Sequence, residues 1–239
     1  MMQSAIPLPA STVVLIRPDQ NHGFEIYLNR RPKQMDTYGG AYVFPGGRVE
    51  ESDWSTGMIR LTQGLTPVEA QKKLGVEDRP ERCLGYWVAA VRELFEEVGI
   101  HFFVSQRNSE TISSQHKLFD RMAAKRMSLQ RGEIDFADLL VSERLRCDLA
   151  RLTYFFHRIT PEHYRVRFDT RFYLAALPPD QSPLDAAEEV SESVWLSPKA
   201  ALDLAQADNF PLMPPTLMVL RSLSAHGTWE ELRDTYNLR

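Results

Sequence analysis

Arg92, Glu93, Glu96 and Glu97 stand close together in a segment whose apolar residues recur at helical spacing. On a helix, Glu93 meets Glu96 and Glu97 at spacings of three and four, and Arg92 meets Glu96 at four. The three carboxylates then share one face, opposite the apolar stripe of Val91, Leu94, Phe95 and Val98. Like charges at these spacings repel by roughly a few tenths of a kcal/mol per pair. One arginine does not balance three carboxylates. A divalent cation that prefers oxygen ligands, Mg²⁺ or Mn²⁺, would do so. A solvated acidic face is the alternative reading, and the helix alone does not choose between the two.

The surrounding elements decide what such a helix could face. Two β-branched runs, 12–16 and 24–28, flank the turn-forming stretch 17–23 and predict a hairpin. A third apolar run, 41–44, leads into Pro45-Gly46-Gly47, which is expected to stop the strand and to let backbone approach a metal or a phosphate. Thr66-Pro67-Val68-Glu69 opens a helix with a capping box, which should run through Leu74 to Gly75. The charged helix is expected over 82–98, closed by Gly99. A strand over 100–104 follows, then a mostly helical stretch over 114–152 broken near Gly132 and Asp135. Strands are expected at 172–177 and 190–196. Helices follow from Ser197-Pro198 and over 216–225 and 228–236, the last with a second capping box from Thr228 and Glu231.

The 239 residues are 43% hydrophobic, enough for one well-packed core. A net charge of −4 and a pI near 5.9 argue against coating nucleic acid or an acidic membrane. No run is long and apolar enough to span a bilayer, and the first twenty residues lack the basic start of a signal peptide. Cys83 and Cys147 have no metal-ligand spacing and fit a reducing compartment, so a cytoplasmic protein is expected.

Arg92-Glu93-Leu94-Phe95-Glu96-Glu97-Val98-Gly99-Ile100 matches the second half of the Nudix box, Arg-Glu-apolar-x-Glu-Glu-x-Gly-apolar, at every defined position. Gly47 followed by Asp53 resembles its first half, Gly-x5-Glu, with an acid one carbon shorter. The family's short spacer between that acid and the arginine is replaced here by positions 54–91. The resemblance implies an α/β fold, the Nudix α/β/α sandwich with a mixed sheet. One domain over 1–239 would carry a helical insertion within 54–91 and a helical C-terminal part over 197–239. It implies a divalent metal, Mg²⁺ or Mn²⁺, held by Glu96 and Glu97, with Glu93 as a further ligand or the general base. The carbonyl of Gly46 matches a family position that can also ligate metal. Arg92 would hold the carboxylates in place. Asp53 and Glu189 are the additional acids that this pattern offers, with Glu188 and Glu192 beside the latter.

The stretch before the box resembles the coenzyme A diphosphatase branch through Leu28, Arg31 and the run from Gly40 to Gly47 that holds Phe44. The insertion within the box and Arg167-Phe168-Asp169-Thr170-Arg171-Phe172 are similar to the acyl-coenzyme A-cleaving members of that branch. Arginine forks suit phosphate oxygens, and Arg167 and Arg171 would share one strand face. Arg31, Phe44, Gly47, Arg167 and Arg171 are therefore the expected substrate contacts. The implied reaction cleaves coenzyme A or its thioesters to 3′,5′-ADP and a phosphopantetheine product. The alternatives are an ADP-ribose or dinucleotide pyrophosphatase and a non-catalytic nucleotide-sensing module. The expected partner is a nucleotide-containing small molecule, with neither nucleic acid nor membrane; a homodimer is left open. The C-terminal Tyr236-Asn237-Leu238-Arg239 does not resemble a peroxisomal signal.

Overall fold

Alternation along the first strand divides the molecule into two cores. In β1 (Leu8–Pro18), Val13 and Leu15 point into one apolar cluster while Val14 and Ile16 point into the other. The computed structural model describes residues 5–34, 39–107, 116–184, 192–207 and 210–239, with the backbone alone for 116–120. β2 (Phe24–Arg30) runs antiparallel to β1, in register at Ile16↔Ile26 and Pro18↔Phe24, and completes the expected hairpin.

Beyond that register β1 and β2 separate. β3 (Tyr42–Val43) pairs with β2, and β4 (Gly46–Arg48) pairs with β1 through Ser11↔Gly47 and Thr12↔Gly46. The strand expected over 41–44 does end before Pro45, but the glycine pair does not leave the sheet. It forms a short strand of its own, because only glycine fits so close to β1: a Cβ on Gly46 would lie 2.3 Å from the Ser11 carbonyl oxygen.

A 3₁₀ turn, Glu51–Trp54, and α1 (Thr56–Ile59) follow. Next come β5 (Thr62–Gln63) and α2 (Pro67–Leu74), whose Thr66/Glu69 capping box and left-handed Gly75 are as the sequence predicts. α3 (Pro80–Val98) starts two residues earlier than expected, with Pro80 in its first turn, and Gly99 closes it at φ 75°. β6 (Phe103–Ser105) falls where the strand over 100–104 is expected, and the stretch expected to be mostly helical holds α4 (His116–Gln130), α5 (Phe136–Glu143) and a strand, β7 (Leu145–Asp148). β7 pairs with β5 in parallel and with β6 antiparallel, a small second sheet in which no local pattern announces β5 or β7.

β8 (Thr153–Ile159), also absent from the sequence reading, pairs antiparallel with β9 (Phe168–Ala176). β9 lies parallel to β1 over nine residues, and β10 (Glu192–Leu196) closes the other edge on β2. The main sheet is thus mixed, in the order β10-β2-β1-β9-β8 with β3 and β4 in the opening. α3 covers one face. The other is covered by α6 (Pro198–Gln206), α7 (Pro214–Leu223) and α8 (Trp229–Tyr236), capped by Ser197 for α6 and Thr228 for α8. At the start of α8 the Thr228 hydroxyl accepts the Glu231 N–H at 3.1 Å, and the Glu231 carboxylate accepts the Gly227 N–H at 2.8 Å. Among the described residues no helix is long and apolar enough to cross a membrane.

Candidate active site

The last two turns of α3 carry the charged face, and β4 brings the glycine pair against it. Arg92 is buried, and Asp53 grips it with both oxygens: Nε donates to Oδ1 and Nη2 to Oδ2, each at 2.9 Å. Nη2 also donates to the Arg48 carbonyl at 2.9 Å, tying α3 to β4. Nη1 reaches Glu93 at 2.8 Å and Glu96 at 3.4 Å. Burial disfavours the guanidinium charge, but Asp53, Glu93 and Glu96 outweigh it and hold Arg92 protonated. Asp53, 39 positions before Arg92, is thereby the arginine's main partner.

Glu97 accepts the Gly46 N–H at 3.1 Å, so the end of the helix touches the strand. Gly47 lies against Glu93, where a Cβ would come within 2.4 Å of the carboxylate. Desolvation pushes the Glu93 pKa up to about 7, with Glu96 and Asp53 adding to the shift and Arg92 opposing it. Glu96 is raised for the same first reason, burial, again against the pull of Arg92. Crowded, partly desolvated carboxylates of this kind fit a hard cation, whose charge would favour their ionised forms. Among the described residues no three acidic, histidine or cysteine side chains already converge into a cage. Glu93 and Glu96 lean on Arg92 instead.

The other expected contacts are spread over the fold. The Arg31 backbone pairs with Ala41 and Gly40, and among the described residues its buried Nε has no hydrogen-bond partner. Phe44 is buried in the apolar cluster under α6–α8. Arg167 donates to the carbonyls of Thr160 and Ala5, at 2.9 and 2.8 Å. Arg171 is buried, pairs with Asp169 and lies 5.1 Å from the Tyr86 ring centre. Each of these two arginines therefore has partners within the fold. Glu188 and Glu189 lie outside the described residues, while Glu192 pairs with Arg30 and accepts the Tyr42 hydroxyl, both at 3.0 Å.

Sequence reasoning missed Arg126 and Gln130 of α4. Arg126 donates through Nε to the carbonyls of Phe95 at 3.0 Å and Glu96 at 2.8 Å, and through Nη2 to that of Glu97 at 2.9 Å. Gln130 adds a bond to the Glu96 carbonyl at 2.6 Å. The available signal was positional: Arg126 stands on an apolar stripe, four residues after Met122 and three before Leu129.

The model of the NUDT19 Nudix domain matches residues 3–223. A Caenorhabditis elegans protein named as nudix hydrolase 7 is 32% identical over 189 residues, 79% of this chain and 52% of that protein. The Xenopus laevis acyl-coenzyme A diphosphatase NUDT19 is 24% identical over 87% of this chain and 62% of that protein. The chain thus spans between about half and three fifths of the length of these relatives. The crystal structure of a NUDIX hydrolase from Alicyclobacillus acidocaldarius superposes with a TM-score of 0.74 at 25% identity, covering 95% of both chains. The chain belongs to the Nudix hydrolase family, within the group that the NUDT19 Nudix domain defines.

Proposed function

We propose that the chain is a divalent-metal-dependent diphosphatase that cleaves coenzyme A or acyl-coenzyme A to 3′,5′-ADP and phosphopantetheine or its acyl form. The observation that carries the hydrolase reading is the trio Glu93, Glu96 and Glu97 held around Arg92 and against Gly46-Gly47. The substrate rests on a weaker support, the likeness to a relative named as an acyl-coenzyme A diphosphatase.

Glu96, Glu97, Glu93 and the Gly46 carbonyl are the groups that would hold Mg²⁺ or Mn²⁺. Once bound, the cation would neutralise the diphosphate oxygens and acidify the attacking water. Water forms a new P–O bond as the P–O bond of the anhydride bridge breaks, and 3′,5′-ADP departs with the bridging oxygen or the new one. Glu93, held by Arg92 and set against Gly47, would serve either as the further ligand or as the base that takes the water's proton. Arg92 orients Glu93 and Glu96, and Asp53 orients Arg92, so the early acid acts through the arginine. Among the described residues the buried Nε of Arg31 has no partner, which leaves a donor for a phosphate oxygen. The buried free thiols of Cys83 and Cys147 support a cytoplasmic setting.

A panel of coenzyme A, an acyl-coenzyme A, ADP-ribose and a diadenosine polyphosphate, each with Mg²⁺ or Mn²⁺, tests the reading by product analysis. Release of 3′,5′-ADP supports it. AMP from ADP-ribose alone would move the assignment to a pyrophosphatase of another nucleotide. Tight nucleotide binding without turnover of any member would make the chain a sensor.

A further inference from the structure

Helices fray at their ends, yet Glu96 and Glu97 sit in the last turn of α3, where geometry is least secure. The four terminal carbonyls of a helix have no partner within it. In α3 all four are bound by protein groups. Phe95 O accepts from Gly99 N–H at 2.9 Å and from Arg126, and Glu96 O accepts from Arg126 and Gln130. Glu97 O accepts from Arg126, and Val98 O accepts from Leu184 N–H at 2.9 Å. One guanidinium thus joins three successive carbonyls, two of them belonging to the candidate metal ligands themselves.

Stability alone does not require this arrangement. Water satisfies the carbonyls of an ordinary helix end, whereas burying an arginine to 6% exposure costs solvation. Among the described residues Arg126 has no carboxylate within ion-pair distance. Its charge faces the negative end of the helix dipole and is favoured by the nearby carboxylates of Glu96 and Glu97. The planar fork also fixes direction as well as distance, which a lysine cannot do.

We propose that Arg126 is a positioning residue for the reaction, which locks the last turn of α3 so that Glu96 and Glu97 present their carboxylates in one fixed geometry. It acts through the backbone and touches no substrate. The proposal rests on the metal-carboxylate reading above. It assigns to the segment 116–130, which carries no Nudix motif, a direct share in shaping the centre.

The test compares the full chain with Arg126→Met, Arg126→Lys and Leu220→Ala, the last lying in the core on the opposite face. The measurements are kcat, KM, Tm, Mn²⁺ affinity by calorimetry and amide exchange at 95–99. For Arg126→Met we expect kcat to fall about 100-fold, as for a displacement of about 1 Å at a reacting centre. KM should stay within about threefold, and the Mn²⁺ Kd should rise about tenfold. Exchange at 95–99 should quicken, and Arg126→Lys should recover part of each loss. Leu220→Ala should lower Tm while keeping kcat and Mn²⁺ affinity per folded molecule. Unchanged kcat and Mn²⁺ affinity in Arg126→Met would overturn the proposal, as would equal losses in Leu220→Ala. A wild-type chain that binds no Mn²⁺ would instead remove the metal reading. The positioning claim would then be decided by kcat, a loss in Arg126→Met that Leu220→Ala does not share supporting it and an unchanged or equally lowered kcat rejecting it. Should Arg126→Met not fold, Arg126→Lys carries the same comparison.

Discussion

The two faces of the main sheet are built on opposite terms. Under α6, α7 and α8 the interior is apolar, with Val14, Ile16, Ile26, Leu28, Leu174 and Leu220 interlocked, and Thr216 is the sole buried polar side chain there among the described residues. On the α3 face the same alternation of strand residues produces another apolar cluster, but Ser11, Asn29, Asp53, Arg92, His101, Arg126, Arg171 and Gln181 are buried in or around it. Buried polar groups are costly unless partnered, and a charge far more so. Their concentration on one face marks where the molecule gives up stability for a fixed arrangement of charge. The opposite face supplies the apolar packing that offsets it.

That contrast can be broken by removing one member from each side. Asp53→Ala leaves the Arg92 guanidinium buried without its bidentate partner, and we expect a loss of about 3–5 kcal/mol together with a fall in kcat. Asp53→Asn, which keeps the shape and one acceptor, should lose less of both; thermal unfolding and steady-state kinetics check the pair. Leu220→Ala should lose about 3 kcal/mol, as for a buried leucine in a tight core. Activity per folded molecule should not change. An equal effect of both variants on kcat would erase the distinction between the faces.

Proton linkage sharpens the comparison on the α3 face alone. Burial lowers the His101 pKa from 6.5 to about 4, so the folded chain keeps the ring neutral where the unfolded chain has already taken up a proton. The unfolded state then binds more protons between those values. The stability present above pH 6.5 is therefore lost as pH falls through this window, by up to about 3 kcal/mol at pH 4. Denaturant titrations of the wild type and His101→Gln across this range should diverge as pH drops, with the wild type the steeper. Parallel curves would contradict the buried neutral ring.

Local chemistry made much of α3 and α2 legible. The 3–4 spacing of Val91, Leu94, Phe95 and Val98, the Thr66/Glu69 box and the glycines at 75 and 99 are all signals within a few residues of what they specify. The strands β5, β7 and β8 were not legible, because each is fixed by a register with a distant partner, as in Thr62↔Cys147 or Thr153↔Leu174. The site divides in the same way. Glu93, Glu96 and Glu97 were found by their spacing. The partnership of Asp53 with Arg92 spans the whole insertion, and Arg126 binds backbone carbonyls, which leave no imprint on residue type. Pro45-Gly46-Gly47 ends β3 as its composition suggests, whereas the separate strand that the glycines form is fixed by close approach to β1 and to Glu93, which composition does not announce.

The central claim, that the carboxylate face of α3 performs metal-dependent hydrolysis, is tested most directly by Glu97→Gln. The amide keeps an acceptor for the Gly46 N–H that lies 3.1 Å away and changes little except the charge. With the substrate identified by the panel and metal saturating, kcat should fall at least about 1,000-fold. Tm should stay within about 3 °C. A kcat within about tenfold of the wild type, in a chain that folds normally, would contradict the account.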